Sequence, residues 1–141
     1  MRPLALVALA TSLVLAGCGF AALPSVQLRS GPEPVDDGVR VSISTDRFSQ
    51  AEAQDILMLS SAAVARRSGA AFFQFRSVKA EGLTEPGGLA IRYFDIEAVI
   101  DPLSSDEAGD PARKTYDAAR LIETFGPRYM PVLPGELRPA S

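Results

Sequence analysis

The chain contains no histidine and a single cysteine among its 141 residues. Without histidine there is no Ser-His or Cys-His nucleophile pair and no imidazole to hold a transition metal. With one cysteine there is no intramolecular disulfide, so the fold must stand on packing alone. Positive charge is not in surplus either, with 14 basic residues against 17 acidic ones. That balance speaks against nucleic acid as a partner. A phosphate cradle is also missing, because Gly87-Gly88 falls between two strand-like runs and no helix follows it. These absences leave carboxylates as the remaining candidates for acid-base work and give no reason to expect a cofactor.

Long apolar runs are scarce too. The one at the front, Leu4 to Leu15, follows the lone positive charge of Arg2 and is about a dozen residues long, whereas a helix needs roughly twenty to cross a bilayer. It has the build of a secretory signal core. It ends in Leu15-Ala16-Gly17-Cys18, which resembles the lipobox of bacterial lipoproteins. The residue types suit that chemistry, since a thiolate is the side chain able to take up a diacylglyceryl group as a thioether, and small residues before it admit a peptidase. The resemblance implies a signal peptide over residues 1–17 and acyl chains, palmitate among them, on Cys18. At about 0.8 kcal/mol per buried methylene, two or three chains make a permanent anchor. Gly19 in place of an aspartate implies the outer membrane, facing the periplasm, in a cell of the Gram-negative type. Loss of Arg2 leaves 13 basic against 17 acidic residues, a mature charge of about −4.

The rest divides into three. Residues 18–37 carry Pro24, Gly31, Pro32, Pro34 and Asp36-Asp37 without periodicity and read as a flexible tether, of roughly 25 Å r.m.s. reach. Residues 38–126 read as a small α/β domain. Val39, Val41 and Ile43 alternate with polar residues as in a half-buried strand. Ser49-Gln50-Ala51-Glu52 is a capping box that opens a helix through Ala53, Ile56, Leu57, Ala63 and Val64, closed by Gly69. Ala70 to Val78 and Leu89 to Ile100 are rich in aromatic and β-branched residues and form a hairpin about a turn at Gly82 to Gly88. Asp110 is placed to cap a second helix with Pro111 at its first position and an apolar stripe of Ala112, Tyr116, Ala119, Ile122 and Phe125. Residues 127–141, with four prolines, read as an irregular tail. The expected fold class is α+β, a two-layer α/β sandwich of order β-α-β-β-α. Its antiparallel sheet would have three strands, or four if the tether or Arg128 to Leu133 adds one, with two helices on one face.

Three groups of side chains invite a chemical reading. Asp95 and Glu97, two apart on one strand, share a face and could serve a carboxylate hydrolase, or simply be a solvated strand face. Asp101, Asp106, Glu107 and Asp110 could gather around calcium, but they lack the spacing of a calcium loop. Phe72, Phe73, Phe75, Tyr93 and Phe94 fall on both faces of their strands and offer a ligand or partner surface, or core packing.

The stretch from Arg40 to Phe75 has a strand and a Ser-capped helix with Leu57-Met58-Leu59 and Ala62-Ala63-Val64, then Gly69 and Phe73. With Tyr116-Asp117-Ala118 to Ile122, it resembles a family of small bacterial envelope lipoproteins of no settled activity. Val64 stands where those proteins often carry a glutamate. The expectation is therefore a non-catalytic accessory or protein-binding lipoprotein, held to a membrane through Cys18 and serving an envelope protein. A carrier of a small apolar ligand between helices and sheet is the alternative.

Overall fold

A computed structural model describes residues 23–84 and 91–139. The leader, Leu15, Ala16, Gly17, Cys18 and most of the hairpin turn expected at Gly82 to Gly88 lie outside the described residues. The fold is α+β, a five-stranded antiparallel sheet with two helices. Its elements are β1 (Ser25–Val35), β2 (Gly38–Asp46), α1 (Gln50–Arg67), β3 (Phe72–Thr84), β4 (Ile91–Leu103), β5 (Thr115–Asp117) and α2 (Ala118–Tyr129), and the strands lie in the order β1-β2-β4-β3-β5. Among the described residues no helix is long and apolar enough to cross a membrane.

The first difference from expectation is β1. Residues 25–35, expected as flexible tether, pair with β2 from Ser25 opposite Asp46 to Val35 opposite Gly38. Val26 reaches the core, and Asp36 makes the tight turn with a left-handed φ of 52°, which a short polar side chain tolerates. Gly38 follows because a Cβ there would lie 2.7 Å from the carbonyl oxygen of Ile100. The strand that alternation predicted, β2, is central, and its Val41, Ile43 and Thr45 are fully buried. They lie opposite Ala98, Ile96 and Phe94 of β4, on the face that α1 covers.

The first helix forms as its sequence directs. The Ser49 hydroxyl accepts from the Glu52 amide at 3.2 Å and Glu52 accepts from the Ser49 amide at 2.9 Å. At the far end the Gly69 amide bonds to Arg66 and the Ala70 amide to Ala65, a closure that needs the positive φ of Gly69, 80°. Ten residues of α1 are buried, because it lies between β2, β3 and β4 on one side and α2 with the C-terminal turns on the other.

The second helix starts later than expected. Asp110 does cap, but only a turn, accepting from Ala112 at 2.9 Å. Residues 115–117 then join the sheet as β5, with Tyr116 opposite Phe73, and Asp117 caps the helix by accepting from Arg120. The apolar stripe is Ala118, Leu121, Ile122, Phe125 and Tyr129. The helix carries Pro127 on its exposed side, where the lost amide bond leaves only the Glu123 carbonyl to water. The tail is not irregular up to Leu137: Met130–Val132 and Gly135–Leu137 are 3-10 turns whose Leu133 and Leu137 complete the core. Arg128 to Leu133 adds no strand.

Candidate functional site

The sheet face turned away from α1 is charged. The register sets Lys79 of β3 opposite Glu97 of β4 and Glu81 opposite Asp95, with Ser42 and Ser44 of β2 beyond them. Arg29 of β1 lies 3.9 Å from Asp95, and Arg40 of β2 lies 3.7 Å from Glu97 and 3.4 Å from Glu33. Asp95 and Glu97 thus share a face, as their spacing requires, and each faces an arginine rather than the other's proton. Together with Arg29 and Lys79 they line an open depression of about 370 Å³. Such a surface, mixed in sign, can match polar or charged groups of a partner by complementarity.

A second charged group lies at the end of the sheet where β4 outruns β2. Asp101 bonds to Arg76 on one side and to Arg113 at 3.1 Å on the other, with Asp36 3.9 Å from Arg76 and Asp110 3.6 Å from Arg113. The bond to Asp101 pushes the Arg76 guanidinium further up, fixing it as a cation. Asp101 and Asp110, considered for calcium, are instead held by arginine, and among the described residues no three acidic, histidine or cysteine side chains converge as metal ligands.

The loop that carries Asp110 is pinned by Gln74, a residue that sequence reasoning passed over. Its buried amide donates to the Asp110 carbonyl at 2.9 Å, the Arg113 carbonyl at 3.3 Å and the Thr115 hydroxyl at 3.0 Å, and its oxygen accepts from the Asp110 amide at 3.0 Å. Gly109 lets the loop approach, since a Cβ there would lie 2.4 Å from the Gln74 amide nitrogen. A polar residue on the outer side of an aromatic strand was the available signal.

The aromatic candidates are divided by the fold. Phe73 is fully buried and stacks on Tyr116 at 5.4 Å, with Phe75 edge-on to both. Phe73 therefore belongs to the core, the alternative left open by the sequence. Phe72 and Tyr93 are half-buried. Phe94 lines a cleft of about 270 Å³ between the start of α1 and the sheet, with Gln50, Ala53, Gln54, Ala80, Gly82 and Ile96. A larger open groove of about 500 Å³ runs along α2 and β5, floored by Met58, Tyr116, Leu121 and Phe125 and rimmed by Lys114, Asp117 and Arg120. No protein family, curated protein or solved structure matches the chain.

Proposed function

We propose that the protein is a membrane-anchored envelope lipoprotein that acts without catalysis, as an accessory or binding module for an envelope protein. The observation that carries the reading is the order Arg2, an uncharged apolar run, then Leu15-Ala16-Gly17-Cys18, with no other cysteine in the chain. The charged outer face and the open groove along α2 and β5 suit a protein partner better than a small substrate, because both are broad, shallow and mixed in polarity. Ser25 opens the sheet seven residues after Cys18, and a chain of that length spans at most about 25 Å, so the anchor keeps the domain at the membrane surface. With Gly19 next to the cysteine, that membrane is the outer one in a cell with two, and the domain faces the periplasm.

Mass spectrometry of protein from its native cell tests this. The expected product begins at Cys18 and carries the added mass of a diacylglyceryl group and an amide-linked acyl chain, while Cys18→Ser keeps its leader. A free thiol, or a retained leader on the unaltered protein, overturns the reading. A second reading, a binder of small apolar molecules, is favoured by the Phe94 cleft. At about 270 Å³ the cleft lies below the usual range of ligand pockets, roughly 300–1,000 Å³, so it ranks behind the first.

A further inference from the structure

The two edges of the sheet differ in character. β1 forms one edge and is defended: Pro32 and Pro34 remove amide donors, and the register against β2 shifts between Leu28 and Ser30 and again between Ser30 and Glu33. β3 forms the other, and β5 covers it only over Phe72, Phe73 and Gln74. Among the described residues, the remainder of β3 has β4 as its one neighbour. After the shift between Phe75 and Ser77 the ladder with β4 runs without irregularity from Ser77 to Leu83. That stretch has no proline, and Ser77 to Gly82 are exposed. Alternate residues therefore turn unpaired amide and carbonyl groups to solvent along a straight edge, a template for another strand.

The side chains on this edge specify which strand. Lys79 and Glu81 flank Ala80 on the charged outer face, and neither takes part in an ion pair among the described residues. Glu81 instead lies opposite Asp95, a like-charge pair that costs stability. A lysine on an edge ordinarily repels other strands, but one placed two residues from a glutamate is complementary to its own sequence run backwards.

We propose that β3 pairs antiparallel with β3 of a second copy of this chain, about a twofold axis at Ala80. That register sets Lys79 opposite the second copy's Glu81 and Glu81 opposite its Lys79, so both like-charge contacts with Asp95 gain a cation. Val78, 47% exposed and the larger of the apolar side chains on the covered face of this edge, comes opposite Gly82 of the second copy, which leaves room for it. The backbone ladder supplies the attraction, and the two charge pairs fix the register. The twofold runs normal to the sheet, so both copies place α1 on the same side and Ser25 at the same level. Two lipid anchors can then enter one membrane lying parallel to the sheet, although the pairing does not depend on the anchor.

Sedimentation of the full chain in detergent, over a range of protein concentrations, tests the proposal. The unaltered protein is expected to reach twice the mass of one chain. Lys79→Glu and Glu81→Lys each set like charges opposite one another and should weaken association about tenfold or more. An equimolar mixture of these two variants restores complementary pairs and should recover the doubled mass, as should the chain carrying both changes. Circular dichroism shows whether each variant is folded. The proposal is overturned if the unaltered protein associates more weakly than about 1 mM, or if folded single variants associate as well as the unaltered protein. It is equally overturned if the mixture stays as weak as its components.

Discussion

Gln74 shows how much one side chain can hold. It is 2% exposed, and its amide bonds to three groups of the loop between β4 and β5 and to the Thr115 hydroxyl at the start of β5. Gln74→Leu fills the same space but takes from the Asp110 amide and the Arg113 carbonyl their bonds to Gln74, while the Asp110 carbonyl keeps the Arg113 amide, so it should cost about 2 kcal/mol or more. Gly109→Ala should cost a similar amount, roughly 1–3 kcal/mol, because the new methyl meets the Gln74 amide. Denaturant unfolding checks both, and hydrogen exchange should rise in residues 104–114 in each. A loop as protected as before would count against this role for Gln74. The opposite sign is expected in α1, where the buried hydroxyls of Ser60 and Ser61 find no hydrogen-bond partner among the described residues. Ser60→Ala and Ser61→Ala remove a desolvated polar atom and improve helix propensity, so each should stabilise by about 0.5–1 kcal/mol. A loss of stability in thermal unfolding would instead imply that the hydroxyls are bonded.

At the scale of the element, both ends of α1 follow local rules, and its start is also tied to α2. Glu52 accepts from the Ser49 amide and lies 2.8 Å from Arg128. The amide bond, more than the arginine, holds the Glu52 carboxyl below its ordinary 4.5. A carboxylate whose folded value is lowered adds stability that is present above its ordinary value and disappears as pH falls through the lowered one. Glu52→Gln should therefore reduce stability by about 1 kcal/mol or less at pH 7, with the gap to the unaltered protein closing as the pH is lowered past 4.5. A gap that stays constant down to acid pH would place the effect in packing rather than charge. Tyr129 answers to burial: its phenol is 2% exposed, 3.4 Å from Asp55, and desolvation pushes its ionisation up.

For the whole molecule the decisive fact is that the segment before Gly38 belongs to the sheet. Val26 packs in the same core as Ile43, Ile56, Phe73 and Leu137. Val26→Ala should cost about 2 kcal/mol, as for a core valine, and leave unfolding a single transition. A neutral result would mean that residues 25–35 behave as tether. The strand was legible in part: Asp36-Asp37-Gly38 ahead of an alternating run is a hairpin signal. Pro32 and Pro34 masked it, because proline is excluded from central strands and allowed at edges, and nothing local says which edge a strand will occupy. The same limit applies to Asp110 and Asp117. Either can cap a helix, and what selects Asp117 is the pairing of Thr115, Tyr116 and Asp117 with Phe72, Phe73 and Gln74, more than forty residues back in the chain.

Local chemistry by itself settled β2, the capping box and glycine closure of α1, the apolar residues of β3 and β4, and the α+β class, because each of these depends on neighbours within a few residues. The shared face of Asp95 and Glu97 is equally local, being a consequence of strand period. Only the tertiary structure decided the fifth strand and the first, the arginine partners of the acidic residues, the burial of Phe73, and the exposed run of β3 beyond Gln74. Those outcomes depend on which strands end opposite one another, and that is fixed by how the whole chain covers its apolar surface.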